Sequence, residues 1–441
     1  MIKRFMFLLL AAVSVACTVD ETVDSAKGDP NLTITPESGD PEGIDESVFA
    51  LLNLDYPGLE KVKSFYEEED MYMAAYYLLE YYRSRTEVYN SNPDLVNPTL
   101  TVAEKRIADQ ALEGRFYVKY GGVESVDEVT GIETYWSFLD ADGNVDWTFL
   151  PQGVDYKSEF SYQKNRHQWM LPQAKAYRAT GNEDYFNNWI DSYWSWLEKY
   201  PCPEGETSQM EWTGLQLSSR ISVQTEILWY YIHSSGFTPA LLTKFLKALY
   251  QHVECQRSNW YNTATSNIRL SQEQAFTIAA IMYPEFVKSE EWLSEGASAI
   301  ANQLETQFLE DGVHNEFDIS YHFGDTGLAA FTELFSIVSA NDKLSLFPSD
   351  YKDKLYRATQ FMKDVIYPNY SVDNFNDTRS QRVTKSVLLK NFRTYSSMFP
   401  EDPELMWIAN QGAAGTKPSY RSKSYPAGGY YMLRTGWDSK D

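Results

Sequence analysis

The sequence predicts a mainly α protein, in which helical hairpins stack into a closed or horseshoe-shaped α/α toroid that leads into a β segment. The first observation is a series of apolar stripes with the i, i+3, i+4, i+7 spacing of one helix face. The second is that no strand-like segment separates the stripes, and that Pro201, Pro284 and Pro368 follow three of them, as expected where helices stop. Helix after helix is typical of stacked helical hairpins. The clearest stripes contain Trp189, Tyr193, Trp196 and Tyr200; Leu242, Phe245, Leu246, Leu249 and Val253; Ala275, Ile278, Ala279 and Met282; Leu293, Ala297, Ile300 and Leu304; and Leu355, Ala358, Met362 and Val365.

The N-terminus predicts export. Lys3 and Arg4 precede an apolar run that is too short to span a bilayer, and this run ends in the small residues before Cys17, which is the pattern of a signal peptide. A cleavage site that ends in Cys resembles the bacterial lipobox. Residues 1–17 are therefore predicted to be a lipoprotein signal, and Cys17 the lipid-bearing residue of a periplasmic or outer-membrane-anchored lipoprotein of a Gram-negative bacterium. Ordinary cleavage to a soluble periplasmic protein is the alternative.

Three further divisions follow along the chain. Residues 18–45 are acidic and rich in Gly, Pro, Ser and Thr, so they are predicted to be a disordered tether. Residues 46–415 form the predicted toroid, with a loop-rich insertion between about residues 115 and 160. Residues 416–441 include a Gly-punctuated alternating segment that predicts the first strand of an antiparallel β domain. One strand cannot form a sheet alone, so we expect this β domain to be truncated at Asp441.

Charge and cysteine content exclude several classes of protein. The net charge of −24 argues against a nucleic-acid binder, and a polyanionic substrate would require a local basic lining. With Cys17 assigned to the lipid anchor, Cys202 and Cys255 allow at most one disulfide, so the chain is not a disulfide scaffold. We expect a monomer that meets the membrane only through its lipid anchor.

The first candidate stretch for chemistry is the Asn165-Arg166-His167 segment before a helix that continues to about Thr180. Its basic residues beside Trp169 suit contact with a charged sugar. A solvated helix start with Trp169 in the core is the equally weighted alternative.

The second stretch surrounds Asn267 and Arg269. Ser271 is predicted to be the N-cap of a helix that runs to Tyr283. Asn267 and Arg269 would then lie just before the cap, where backbone N–H groups and the helix dipole favour an anion. A polar loop in which Asn267 stabilises a turn is the alternative that the residues alone favour.

The third stretch, residues 315–325, crowds polar side chains between two apolar helices. An extended segment would place His314, Glu316 and Asp318 on one side, and Tyr321 and His322 follow closely. Neither an HExxH helix nor Cys/His spacing supports a metal site. The predicted set therefore has no metal, although the many carboxylates leave a two-acid glycosidase mechanism open.

The order of several motifs resembles the heparinase II/III-like polysaccharide lyases, from about residue 50 to the end, and favours the heparinase III branch, since Ile268 stands where related alginate lyases tend to carry His. The resemblance rests on their order together. The motifs are Asn165-Arg166-His167 with the following Ala176-Tyr177-Arg178-Ala179-Thr180-Gly181, WTGLQLSSR from Trp212 to Arg220, Ser266-Asn267-Ile268-Arg269, Tyr283-Pro284-Glu285, Asp311-Gly312, Glu316, Ser320-Tyr321-His322 and the Gly428 to Trp437 segment.

The resemblance implies an incomplete α/α toroid followed by a β-sandwich, and β-elimination at a uronic acid of a heparan-sulfate-type glycan. Asn267 matches the family's carboxylate-neutralising Asn, and Tyr321 its proton-transferring Tyr. No cofactor is implied as a requirement, and a structural calcium ion is left open. The implied substrate-binding residues are Asn165, Arg166, His167, Trp212, Arg269, Glu316 and His322.

The resemblance also implies a third catalytic residue, a His in the β domain beyond Gly436-Trp437. This sequence has no His after His322, so the chain is expected to be either a fragment of a longer lyase or a truncated form with little activity. The alternatives are a glycan-binding surface lipoprotein without chemistry, a lyase for another uronate polysaccharide such as alginate, and a glycoside hydrolase on the same toroid.

Overall fold

The protein is described from a computed structural model. It describes residues 43–86, 88, 99–118, 135–152, 157–263, 266–324, 327–373, 376 and 383–438. The predicted signal peptide, Cys17 and most of the predicted tether lie outside these residues. No helix within the described ranges has the length and apolarity needed to cross a membrane.

Helices dominate the described chain, and the five predicted stripes fall on helices, except for Tyr200, which directly follows the last residue of its helix. The α-helices of the described residues are α1 (Glu60–Glu67), α2 (Met71–Ser84), α3 (Val102–Leu112), α4 (Lys157–Lys164), α5 (Met170–Thr180), α6 (Glu183–Lys199), α7 (Gly214–Tyr231), α8 (Pro239–Ser258), α9 (Asn267–Met282), α10 (Ser289–Gln307), α11 (Ile319–Phe323), α12 (Leu328–Ala340), α13 (Tyr351–Val365), α14 (Lys385–Met398) and α15 (Pro403–Ala409).

Helices α5, α7, α9 and α12, which we call the first layer, run parallel to one another. Gln272 on α9 donates to the Gly214 carbonyl on α7 at 3.3 Å, and Tyr283 just after α9 donates to the Thr225 carbonyl at 3.0 Å. Both contacts join residues 58 apart in the chain. A constant separation of this kind means that the two helices point the same way.

The neighbouring pairs of first-layer helices extend the same arrangement. Between α5 and α7, Gln224 contacts the Met170 sulfur at 3.6 Å, and the Tyr177 and Tyr231 ring centroids lie 5.1 Å apart. Between α9 and α12, Gln274 donates to Glu333 at 2.8 Å.

The helices α6, α8, α10 and α13, which we call the second layer, return antiparallel to the first and complete the hairpins. Ser289 at the start of α10 donates to the Ala280 carbonyl near the end of α9 at 2.8 Å. The C-terminal end of α10 contacts the N-terminal end of α12, where the Phe308 and Phe331 ring centroids lie 5.7 Å apart. All four first-layer helices therefore begin at one edge of the array, which we call the N-terminal edge.

Burial of the aromatic stripes between the layers stabilises the array. Trp189, Trp196 and Tyr193 on α6 are fully buried, and the Trp189 ring packs edge-on against Phe245 of α8 at 6.0 Å. Burial of one such side chain contributes on the order of 2–3 kcal/mol. A glycine closes the α5–α6 hairpin, because Gly181 adopts φ 69° at the end of α5, where a side chain would be strained.

Short β ladders account for the segments that did not match the helical pattern. Within the predicted insertion, β1 (Arg115–Tyr117) pairs with β2 (Tyr135–Ser137). Near the end of the chain, β3 (Ser422–Tyr425) pairs with β4 (Tyr430–Leu433) as an antiparallel hairpin. The sequence predicted one strand in the last segment, and the structure contains two.

Candidate functional site

The predicted functional segments meet at the N-terminal edge. The Asn165-Arg166-His167 segment precedes α5, Trp212 precedes α7, and Tyr321 lies on α11, just before α12. Asn267 is the first residue of α9. Because the first-layer helices are parallel, their free backbone N–H groups and the positive ends of their dipoles lie at the same edge, which favours a negatively charged ligand.

Asn267 stands in the first turn of α9 rather than before its cap. Ser266 is the N-cap, since its hydroxyl accepts from the Arg269 N–H at 3.1 Å. The prediction of Ser271 as the cap is wrong: the cap lies five residues earlier, and the Ser271 hydroxyl donates to the Asn267 carbonyl at 2.9 Å within the helix. The Asn267 side-chain oxygen accepts from the Ile268 N–H at 2.8 Å. The amide nitrogen of this side chain is a donor on the helix turn that carries the positive dipole end.

Arg269 is held in place from three sides. Its Nε donates to Glu273 at 2.5 Å, its Nη1 donates to the Tyr261 carbonyl at 3.1 Å, and its guanidinium lies 4.5 Å from the centre of the Trp260 ring. Burial raises the pKa of Glu273, and the ion pair with Arg269 opposes this shift. Arg269 remains 22% exposed, so the N-terminal edge has an oriented cation beside Asn267.

Tyr321 is presented by a helix of five residues. Asp318 caps α11, and its Oδ1 accepts from the Tyr321 N–H at 3.0 Å and from the Ser320 hydroxyl at 2.6 Å. Gly327 closes the other side, because a Cβ at this position would lie 1.8 Å from the Tyr321 carbonyl oxygen. Tyr321 itself is partly exposed. Asp325, also in this polar stretch, lies outside the described residues.

The prediction of an extended segment before α11 is wrong. Phe317 adopts φ 53°, so the backbone turns instead of continuing as a strand. His314 and Asp318 are buried at 2% exposure each, whereas Glu316 is exposed. Burial lowers the pKa of His314 to about 4. Of these three side chains, only Glu316 lies on the surface.

Four predicted substrate-binding residues lie inside the core. Asn165, His167, Trp212 and His322 are each at most 1% exposed. The Asn165 side-chain oxygen accepts from Trp196 at 2.8 Å, and His322 Nε2 lies 3.0 Å from the Ala358 carbonyl. Side chains without exposed surface cannot reach a polysaccharide in this arrangement. Their placement does not support direct contact, and we do not include them in the proposed site.

Arg166 is half-buried, unlike its two neighbours in the sequence. Desolvation lowers the pKa of its guanidinium, and nearby Glu159 opposes this shift. His167 adopts φ 56°, which turns the chain so that Asn165 and His167 point inward while Arg166 keeps access to solvent.

Sequence reasoning missed the role of Arg220. This residue is fully buried on α7, and it donates to the Asn165 carbonyl at 2.9 Å and to the Glu211 carbonyl at 2.5 Å. Its guanidinium stacks 4.0 Å from the centre of the Trp196 ring. Arg220 thereby ties the segment before α5 to the segment before α7. A single Arg among the small and apolar residues of WTGLQLSSR was the available signal.

Within the described ranges, no group of three His, Cys, Asp or Glu side chains is arranged to hold a metal ion.

The layered hairpins, with an amide, a guanidinium and a phenol at one edge, define a protein of the α/α-toroid class. Residues 48–407 match the sequence family described as Heparinase II/III N-terminus. The chain therefore belongs to the heparinase II/III family, as the resemblance predicted.

Relatives and solved structures agree with this assignment. The chain is 35% identical over 452 residues to a heparin-sulfate lyase of Bacteroides thetaiotaomicron, covering 99% of this chain and 62% of the relative. It is 30% identical over 407 residues to a heparin-sulfate lyase of Bacteroides stercoris, covering 88% and 58%. A crystal structure of heparinase III superposes with a TM-score of 0.79 at 37% identity, covering 90% of this chain and 60% of that one.

These matches confirm the predicted mainly helical toroid fold. The chain spans about three fifths of the length of the relatives that it matches.

Proposed function

We propose that this chain forms the helical part of a lyase that cleaves heparan-sulfate-type glycans by β-elimination at the uronic acid. The observation that carries the proposal is the common location of Asn267 and Tyr321 at the N-terminal edge. The choice of heparan sulfate rests on the names of the heparin-sulfate lyases to which the chain is similar.

The first requirement of the reaction is neutralisation of the uronate carboxylate. The proton on C5 is weakly acidic, so charge that develops on the adjacent carboxylate must be stabilised. In the proposed complex the Asn267 amide nitrogen donates a hydrogen bond to this carboxylate, within the positive dipole field of α9. Arg269, which Glu273 and Trp260 hold in place, adds positive charge beside it.

The second requirement is proton transfer. In the proposal, Tyr321 exchanges a proton with the reacting sugar, as base at C5 or as acid to the glycosidic oxygen. A Tyr hydroxyl has an ordinary pKa of about 10, so a basic role requires cations nearby. Arg269 at the same edge is the candidate for this effect.

Local positive charge must also offset the overall charge of the protein. The chain carries −24, which repels a sulfated glycan at long range. Arg166 and Arg269 keep exposed surface at the N-terminal edge, and Glu316 is exposed five residues before Tyr321 in the chain. We therefore propose that Arg166 and Arg269 contact the anionic groups of the substrate. We propose Glu316 as a third contact, which accepts hydrogen bonds from sugar hydroxyl groups, because an ionised carboxylate is only an acceptor.

The test incubates the full-length protein encoded by the gene with heparan sulfate and measures the unsaturated uronide product by its ultraviolet absorbance. Replacing Tyr321 with Phe should lower the rate at least about 100-fold, the lower range for loss of a proton-transfer group. Tyr431→Phe, at a side chain that is 70% exposed on β4, is the matched control and should keep the rate. An undiminished rate in Tyr321→Phe contradicts the assignment.

The same assay separates the other classes of function. Heparan sulfate binding in calorimetry without any product indicates a glycan-binding protein. Saturated reducing ends without ultraviolet absorbance indicate a glycoside hydrolase. Faster turnover of alginate than of heparan sulfate indicates a different uronate substrate.

We also propose that the protein is an exported monomer anchored by a lipid on Cys17. The basic start, the apolar run and the Ser14-Val15-Ala16-Cys17 sequence support the anchor. In a Gram-negative host, metabolic labelling with a fatty acid should label the wild type and leave Cys17→Ala unlabelled. Equal labelling of both contradicts the anchor, and light scattering of the detergent-solubilised protein tests the monomer.

A further inference from the structure

Two cysteines lie side by side where the α6–α7 loop crosses α8. Cys202 Sγ lies 3.6 Å from the Gln251 carbonyl oxygen, one helical turn before Cys255. Cys255 Sγ lies 3.8 Å from the carbonyl oxygen of Trp212, at the other end of the same loop. Residues four apart share one face of a helix, so Cys202 lies against the face of α8 that carries Cys255, and both thiols are free in this structure. A small movement of the side chains would therefore join them.

The backbone around the thiols is already clamped in place. Asn259, just after α8, accepts from the Thr207 N–H at 2.7 Å and donates to the Gly205 carbonyl at 3.0 Å. The same amide nitrogen donates to the Cys255 carbonyl at 2.8 Å. These bonds hold the loop against the end of α8, so the two thiols stay close without any covalent link.

A buried cation lies beside the pair. The Arg220 guanidinium is fully buried, and within the described chain its hydrogen bonds go to two carbonyl oxygens and to the His252 ring, rather than to a carboxylate. The hydrogen bond from Cys202, together with the Arg220 charge, lowers the pKa of the Cys255 thiol. The thiolate is the reactive form of cysteine, so Cys255 is the thiol that this environment favours as the attacking thiolate. The pKa of the Cys202 thiol is raised by its interaction with Cys255 and by burial.

We propose that Cys202 and Cys255 form a reversible disulfide that fastens the α6–α7 loop to α8. The thiolate of one cysteine attacks a sulfur of a disulfide oxidant such as oxidised glutathione, and one glutathione thiolate leaves. The thiolate of the second cysteine then attacks the protein sulfur of the mixed disulfide, and the second glutathione leaves. The two protein thiols lose two protons and two electrons, and the oxidant becomes two thiols.

The cross-link would act on the N-terminal edge. The loop that it fastens runs into Trp212 and the start of α7. Oxidation would therefore restrain the chain segment that enters α7. This inference does not depend on which reaction the site performs.

The test is peptide mapping of the Cys17→Ser protein, in which these are the two remaining cysteines. The protein is incubated with oxidised glutathione or with dithiothreitol, its free thiols are alkylated, and it is digested with trypsin. Oxidation should join the peptides 200–220 and 248–257 and remove the mass of two hydrogens, and dithiothreitol should separate them. Two alkylated cysteines, or stable glutathione adducts in place of the joined peptide, would overturn the proposal.

A stability measurement tests the fastening. The thermal midpoint of the oxidised Cys17→Ser protein should exceed that of its reduced form, because a cross-link restricts the unfolded chain. Adding Cys202→Ser should abolish this difference while leaving the reduced midpoint close to that of the parent. Equal midpoints for the oxidised and reduced parent would refute the claim that the bond restrains the loop.

Discussion

The cap of α11 offers a sharp test of how the fold presents Tyr321. Asp318→Ala removes the oxygen that accepts from the Tyr321 N–H at 3.0 Å and from the Ser320 hydroxyl at 2.6 Å. Loss of an N-cap costs about 0.5–2 kcal/mol. Asp318 is 2% exposed, so water does not readily replace the lost acceptor, and we expect the upper end, about 2 kcal/mol.

The rate of hydrogen exchange at the Tyr321 amide measures the resulting loss of stability in α11. A loss of about 2 kcal/mol corresponds to a roughly 30-fold higher population of the open state, so exchange of the Tyr321 amide should accelerate by about that factor. Asp318→Asn is the matched control, because Asn is as good a cap as Asp and keeps the accepting oxygen. It should stay within about 3-fold of the wild-type exchange rate. Under the proposed function, lyase activity should also fall further in Asp318→Ala than in Asp318→Asn.

The refuting result is equal Tyr321 exchange in the two variants. In that case the cap would not hold α11, and packing of Ile319 and Phe323, which are 1% and 6% exposed, would have to hold the helix instead.

Three further changes have defined outcomes. Arg85→Met should lower the free energy of unfolding by about 3–5 kcal/mol in urea, because the Glu285 carboxylate, 2.6 Å from Arg85 and fully buried, loses its cation. Gly327→Ala should lower it by about 1–3 kcal/mol and accelerate amide exchange in α11, because the new Cβ would lie 1.8 Å from the Tyr321 carbonyl oxygen. Acidification should also destabilise the protein in urea titrations, because burial lowers the pKa of His322 to about 3. The folded state then keeps this ring neutral while the unfolded state binds a proton below about pH 6.5, which costs about 1.4 kcal/mol per pH unit for each such histidine.

Matched controls separate these effects from general disruption. Asp55→Asn breaks an ion pair whose side chains are 40% and 79% exposed, and should cost under about 1 kcal/mol. His322→Gln should lower the slope of this pH dependence by about 1.4 kcal/mol per pH unit between about pH 6.5 and 3, which is the share of one histidine. A cost for Arg85→Met as small as that for Asp55→Asn, an unchanged urea midpoint in Gly327→Ala, or an unchanged slope in His322→Gln would contradict the corresponding argument.

The helices could be predicted from the sequence because their signal is local. The stripe of Trp189, Tyr193 and Trp196 is fully buried on α6, as its spacing requires. The start of α9 was harder to predict, because Ser266 and Ser271 both suit an N-cap. The bonds of the two hydroxyls decide between them: Ser266 accepts from the Arg269 N–H, whereas Ser271 donates back to a carbonyl within the helix.

The parallel first layer explains why the functional segments could be found in the sequence but not resolved into individual roles. Each segment stands at the start of a first-layer helix, so the polar stretches that precede the apolar stripes all lie at one edge of the fold. Which side chains face outward is decided by single backbone angles. Phe317 at φ 53° breaks the alternation expected for His314, Glu316 and Asp318, and His167 at φ 56° turns the chain before α5. A positive φ in such residues is too uncommon for the sequence to predict.

The same two turns determine which charges remain at the N-terminal edge. The turn at His167 buries the imidazole and leaves Arg166 half-exposed, while the turn at Phe317 buries Asp318 as a cap and leaves Glu316 in solvent. The buried polar residues therefore fix the backbone that presents Arg166 and Tyr321, and the exposed ones remain available to a ligand. A buried polar residue such as Asp318 should affect lyase activity only through the position of its neighbours. Asp318→Asn should therefore retain the activity that Asp318→Ala loses. By contrast, a replacement of Tyr321 that lacks the hydroxyl, such as Tyr321→Phe, should not retain lyase activity.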